Sequence, residues 1–209
     1  MKAKQTGFTL LEMMVTIGIA ALLFGMAVPS LIDFIRNSRI TSAANDMLVD
    51  LNLARTESVK RRSIVTLCLS DNPADADPDC GDGRGWIVFE DLNGDGDHGA
   101  GETVFQAHAP PPESIAIATR GDSSDDDSTL DYIMYAPSGF RRVAGSIVAP
   151  DSWVLLCDER QLTRTVGSGT RAEYPGARLI EVSGPGRALV TRAVSRIGSS
   201  GLNLTCPTP

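Results

Sequence analysis

The sequence predicts an α+β fold, a long N-terminal α-helix whose first half spans a membrane and whose second half packs on a C-terminal antiparallel β-sheet domain. Three observations carry this. Residues 8–31 form an almost unbroken apolar run, residues 40–58 carry apolar or small side chains at helical spacing, and short β-branched or aromatic runs separated by Gly, Pro and Asp follow. The 209 residues suffice for one soluble core and an appendage. Four segments result: a leader at 1–7, a transmembrane half-helix at 8–31, an amphipathic half-helix at 32–62 and a β-rich globular domain at 63–209.

The run FTLLEMMVTIGIAALLFGMAVPSL begins at Phe8 and ends at Leu31. Its 24 residues reach about 36 Å as a helix, enough for a hydrocarbon core of about 30 Å. Lys2 and Lys4, with no acidic residue before Phe8, hold the leader on the cytoplasmic side, so the chain beyond Leu31 lies across the membrane. A secretory signal has a shorter apolar stretch and a small-x-small cleavage site, for which only Ala-Val-Pro-Ser near residue 30 is available. Glu12 sets the run apart from a plain anchor. A carboxylate in an apolar span costs on the order of 2.5–3.5 kcal/mol and is kept for a partner, here a cation. If the chain is cut between Gly7 and Phe8, the new α-ammonium on Phe8 is such a cation, and Glu12 of a neighbouring subunit can neutralise it.

KQTGFTLLEMMVTIGIAALLFGMAVPSL resembles the class III signal of type IV pilins and type II secretion pseudopilins. The resemblance implies that Gly7 precedes the cut, that Phe8 becomes N-methylated, that Glu12 acts in assembly and that Pro29 is the family's helix-kinking proline. It also implies that a prepilin peptidase takes this chain as its substrate. An inner-membrane assembly platform and other minor and major pilins or pseudopilins are its further partners.

From Asp33 to Arg62 the stripe Ile40, Ala44, Met47, Leu48, Leu51, Ala54 and Ser58 suits packing on a sheet, with Asn45, Asp46, Asp50, Arg55, Glu57 and Arg61 on the remaining faces. Lys60, Arg61 and Arg62 suit the negative end of the helix dipole. Strands are expected at 64–69, 86–89, 103–105, 114–118, 132–135, 153–157, 177–182 and 188–191, with turns at Asn93-Gly94, the prolines 110–112, 121–128, 137–139 and 184–186. This layout, with GWIVFEDLNGD at 85–95 and Leu155-Leu156-Cys157-Asp158, resembles the GspH/FimT-type minor pilins and pseudopilins. The resemblance implies a minor type IV pilin that primes or caps a pilus in biogenesis, twitching motility or DNA uptake. Its alternatives are a GspH-like minor pseudopilin of a type II secretion system and a DNA-binding minor pilin of a competence pilus. The expected location is the inner membrane, single-pass, with the globular domain in the periplasm, and then the filament.

Cys68, Cys80, Cys157 and Cys206 contain no CxxC pair, which disfavours zinc and favours two disulfides in an oxidising compartment. Three pairings are open. Cys68 with Cys80, clipping a polar loop, and Cys157 with Cys206, tying the tail to a strand, are favoured. DLNGDGDHGAGE places Asp91, Asn93, Asp95, Gly96, Asp97 and Glu102 at positions 1, 3, 5, 6, 7 and 12 of a calcium-loop pattern. Its flanks read as strands rather than helices and His98 replaces the usual aliphatic residue, so an acidic hairpin connection competes with calcium binding.

A net charge of -7 disfavours a constitutive nucleic-acid coat and leaves room for a local basic patch. Gly186-Arg187 matches the first half of the Gly-Arg-x-Arg stretch of DNA-uptake minor pilins, but Leu189 stands where the second Arg belongs. Arg178, Arg187, Arg192 and Arg196 make the tail locally basic, so DNA contact through Arg187 and Arg192 competes with solvated strand-edge arginines. His98 and His108 lie in polar or Pro-rich loops and no nucleophile or zinc-protease motif occurs, so no catalytic site and no cofactor beyond calcium are expected.

Overall fold

The structure is a computed structural model. It describes residues 7–81, 83–121, 132–144, 152–160, 165–166, 172–173 and 176–191. The chain divides into two units, Met1–Ser38 and Arg39–Pro209, with the boundary inside a helix.

Helix α1 covers Leu10–Arg61, 52 residues, and passes through Pro29 without ending. Its start is set by Thr9. The Thr9 hydroxyl accepts the Glu12 N–H at 3.2 Å, and the Thr9 carbonyl accepts from Met13 N at 3.2 Å. Thr-x-x-Glu is the capping-box spacing, and it leaves Gly7 and Phe8 outside the helix. At the other end Glu57 receives Lys60 Nζ at 3.0 Å and Arg61 Nε at 2.7 Å. Those two bonds, Arg61 foremost, hold the Glu57 carboxyl below its ordinary range. Arg61 also lies over the Phe105 ring, 4.3 Å from its centroid. Arg62 then takes φ of 57°, the left-handed conformation that commonly ends helices.

In the second unit, β1 (Val65–Ser70), β2 (Gly85–Glu90), β3 (Val104–His108), β5 (Tyr132–Tyr135) and β6 (Arg141–Arg142) form one sheet in the order β3-β2-β1-β5-β6. A second sheet runs β11-β10-β7-β4, from β4 (Ile115–Gly121), β7 (Ser152–Asp158), β10 (Ala177–Val182) and β11 (Ala188–Thr191). A two-stranded ribbon pairs β8 (Thr165–Val166) with β9 (Ala172–Glu173). Every pair is antiparallel, as short strands joined by turns require.

One core joins the helix to both sheets. Ile40, Met47, Leu51 and Ala54 of α1 pack with Val65, Leu67, Trp86, Val88, Ile133 and Tyr135 of the first sheet and Ile115, Val154, Leu156 and Ile180 of the second. The helical stripe is thus where its spacing places it, with two corrections. Leu48 is only half-buried, and Asp50, expected on a solvent face, is 6% exposed because it binds Trp86 from inside.

Arg55 ties the turns of both sheets to the helix. Its Nε donates to the Gly139 carbonyl at 3.0 Å and its Nη2 to the Pro185 carbonyl at 3.1 Å. The two turns meet so closely that a Cβ on Gly186 (φ 83°) would lie far inside contact distance of the Gly139 oxygen. Gly186→Ala combines that overlap with a left-handed backbone costing roughly 1–2 kcal/mol for an L side chain. A loss of at least about 2 kcal/mol in urea unfolding is expected, and wild-type stability would contradict the packing described.

Candidate functional site

Phe8 is 78% exposed and Glu12 lies in the first helical turn, also exposed. Leu10, Leu11, Met14, Ile17, Leu22, Leu23, Phe24 and Met26 are likewise each more than three-fifths exposed. The first unit by itself therefore does not bury its apolar run, and by length and composition it can cross a membrane. The geometry fits a subunit that places a non-helical Gly7–Phe8 junction just ahead of a capped helix bearing one acidic residue among apolar neighbours.

The acidic segment folds on itself. Asp91, 1% exposed, accepts from Thr66 Oγ1 at 2.9 Å, Gly94 N at 2.5 Å and Gly96 N at 3.1 Å. Glu102 accepts from Leu92 N at 2.8 Å and Gly99 N at 3.0 Å. Asn93 donates to Asp95, whose other oxygen receives Asp97 N at 2.9 Å. The first and last residues of the calcium pattern thus serve as acceptors for the loop's own N–H groups, and Asn93, Asp95 and Asp97 remain exposed. Among the described residues no group of three or more His, Cys, Asp or Glu side chains is arranged to hold a metal ion.

Cys68 and Cys80 form a disulfide that closes the 71–79 loop. Cys157 is also disulfide-bonded, and Cys206 lies outside the described residues. His98, whose side chain is 4% exposed, joins the disulfide loop to the acidic one through its Nδ1 at 3.0 Å from the Pro78 carbonyl, and its ring meets Phe89 edge-on at 5.2 Å. By sequence His98 belongs to a polar loop. Nothing local marks it as buried.

Of the basic tail, Arg187 is exposed in the β10–β11 turn and Leu189 beside it is 48% exposed. Arg178 is 2% exposed and donates to the Ala177 carbonyl at 2.8 Å and Thr41 Oγ1 at 3.1 Å. It fixes the second sheet to the helix and is no part of a phosphate-facing surface. Arg192 and Arg196 lie outside the described residues.

A buried polar group escaped the sequence reading. Asp50 Oδ2 accepts the Trp86 indole N–H at 2.7 Å, the indole stacks on His108 at 4.0 Å with 6° between planes, and His108 Nε2 is 3.8 Å from Asp46. The signal was present in position 50, which is three residues from Met47 and four from Ala54, on the apolar stripe. Burial pushes the Asp50 carboxyl above its ordinary value of 3.8, and the Trp86 bond and His108 only partly oppose it. The folded state then binds the Asp50 proton more tightly than the unfolded chain. This residue's contribution is full below about pH 3.8 and is lost as pH rises through the raised value. Asp50→Asn, which keeps an acceptor for Trp86 and removes the buried charge, is expected to hold or raise Tm at pH 7 and to flatten that part of the pH profile. Asp50→Leu strands the indole N–H and costs about 1–3 kcal/mol. Equal losses for both would contradict the assignment.

A membrane-length apolar helix with a capped acidic first turn, running on into a sheet-packed half, defines a pilin-like subunit. Compared with known families, residues 43–174 match the family described as type II transport protein GspH, and residues 2–28 match the prokaryotic N-terminal methylation motif. The first match covers more than half of the chain, and the chain belongs to the GspH family, as a minor pilin or pseudopilin. Among solved structures it is similar to the type IV minor pilin FimU of Pseudomonas aeruginosa PAO1 in two crystal forms. Both are 16% identical, with TM-scores of 0.49 and 0.46, covering 76% and 72% of this chain and 92% and 91% of those. It is also similar to the minor pseudopilin EpsH from the type 2 secretion system of Vibrio cholerae, at 7% identity and TM-score 0.45, covering 75% of this chain and 97% of that one. No curated protein matches the chain.

Proposed function

We propose that this chain is a minor type IV pilin, a low-copy structural subunit that primes or caps a pilus and performs no catalysis. The observation that carries the reading is the exposed apolar half-helix with Glu12 in its first turn, joined to a GspH-family domain. In this reading a prepilin peptidase cuts between Gly7 and Phe8 and methylates Phe8. The chain stays in the inner membrane with its globular domain in the periplasm until an assembly platform passes it into the filament among other pilins. Pro29 acts in assembly by leaving the Gly25 carbonyl without its helical N–H partner, which gives the helix a place to bend. Deletion of the gene is expected to abolish surface pili and twitching while extracellular enzyme secretion continues.

The pseudopilin reading is favoured by the description of the matched family, and it expects the opposite pair of phenotypes. The DNA-receptor reading keeps Arg187 as its exposed residue and Arg192 as its second cation. It expects the soluble domain to retard duplex DNA at low salt and Arg187→Gln with Arg192→Gln to abolish the retardation.

The acidic loop serves in this account as a self-capped connection needing no cofactor, since Asp91 and Glu102 are engaged by its own backbone. Calcium is accordingly expected to leave the melting temperature unmoved. A rise on adding Ca2+ that vanishes in Asp95→Ala would assign the ion to Asp91, Asn93, Asp95, Asp97 and Glu102 instead.

A further inference from the structure

Beside the disulfide lies a cavity of about 230 Å³ lined by Cys68, Cys80, Asp95, Asp97, Tyr132 and the backbone of Gly81 and Gly96. Cys68 is fully buried, whereas Cys80 is half-buried. An attacking thiolate must therefore strike the Cys80 sulfur. Reduction by a thiol proceeds by that attack: the external sulfur bonds to Cys80, the disulfide breaks, and its electron pair leaves on Cys68 as a thiolate. A second external thiolate then attacks the mixed disulfide, Cys80 departs as thiolate, and the reductant ends as its own disulfide.

The attacking species is an anion, and carboxylates flank its route. Asp95 and Asp97 line the cavity and are exposed, and Asp79 adjoins Cys80 in sequence and is exposed. Asp95 and Asp97 are held there by the turns of the acidic loop: Asn93 Nδ2 donates to Asp95 Oδ2, the Asp95 N–H donates to Asn93 Oδ1, and the Asp97 N–H donates to Asp95 Oδ1. His98 anchors that loop to the disulfide loop at Pro78.

We propose that the acidic loop is an electrostatic guard, its Asp95 and Asp97 carboxylates slowing the approach of thiolates to Cys80 and so protecting the Cys68–Cys80 disulfide from reduction and exchange. This gives the segment a task that neither metal binding nor the turn itself supplies. It also accounts for exposed carboxylates at 95 and 97, where the loop's own capping uses chiefly Asp91 and Glu102.

The test compares two probe thiols on the full-length chain in neutral detergent: anionic 2-mercaptoethanesulfonate and cationic 2-mercaptoethylamine, at matched thiolate concentration. Alkylation followed by mass analysis of the Cys68 and Cys80 peptides gives the rate for this disulfide alone. In Asp95→Asn/Asp97→Asn the cationic-to-anionic rate ratio should fall about tenfold from the wild-type ratio, the scale that two carboxylates a few ångströms from a passing anion set in water. The wild-type ratio should also collapse, as salt rises from about 10 mM to about 1 M, toward the ratio that the two thiolates show with a small uncharged disulfide. A ratio in the double variant within twofold of wild type, or a wild-type ratio indifferent to salt, would overturn the proposal. A wild-type ratio indifferent to salt overturns the proposal even where the double variant does not fold.

Discussion

Glu12→Ala is expected to leave the chain inserted in the membrane and cut at its N-terminus, yet to reduce its presence in sheared filaments by tenfold or more. On the proposed reading, cleavage before Phe8 creates an α-ammonium four residues ahead of the helix's first acidic side chain, and both charges lie in an apolar environment. Each is costly there alone, on the order of 2.5–3.5 kcal/mol for a buried carboxylate by insertion scales, and every 1.4 kcal/mol of unrecovered cost is tenfold in occupancy. Within the chain the Glu12 backbone N–H is satisfied by Thr9, so the cap survives the substitution and the helix still begins at Leu10. Glu12→Gln keeps a polar side chain and loses the charge; it should fail as Ala does. Immunoblots of membrane and filament fractions decide it. Undiminished incorporation of both variants would remove charge pairing from the mechanism.

The second large effect falls in the globular domain. Asp91 is buried and accepts three hydrogen bonds, from the Thr66 hydroxyl and the N–H groups of Gly94 and Gly96. Asp91→Ala removes all three acceptor contacts and leaves two backbone donors of a tight turn unsatisfied. At about 1–3 kcal/mol for each stranded donor, the loss is expected to reach roughly 3 kcal/mol or more, with Tm lower by about 10 °C. Asp91→Asn retains one side-chain acceptor oxygen and is expected to cost about half as much. Thermal melts of the soluble domain measure both. Near-wild-type stability of the Ala variant would mean that the loop is held by something other than its own acidic cap.

The parts of the fold legible in the sequence were those with a repeating pattern. Ile40, Met47, Leu51 and Ala54 announced the buried face because a helix returns its side chains every third or fourth residue, and β2, β5, β10 and β11 announced themselves by β-branched and aromatic runs between turns. β6, β8 and β9 are two residues long and carry no period to read. Single polar residues went astray for a different reason. Asp50 and Arg178 are charged by type, which places them outside by default, and both are inside because one specific partner, the Trp86 indole or the Thr41 hydroxyl, is presented by a distant strand or helix. His98 is buried by the packing of two loops that no local pattern links. The Cys68–Cys80 pairing was favoured from the sequence because it clips a polar loop, and the structure forms it. At the N-terminus, Thr9 as helix cap is legible in Thr-x-x-Glu, a local signal that the far longer apolar run beside it overshadows.

The most direct test is intact-mass and N-terminal analysis of the protein taken from its native membrane. The expected chain begins at Phe8 and carries one methyl group on its α-nitrogen. A chain beginning after Ser30, or one retaining Met1 to Gly7, would contradict it.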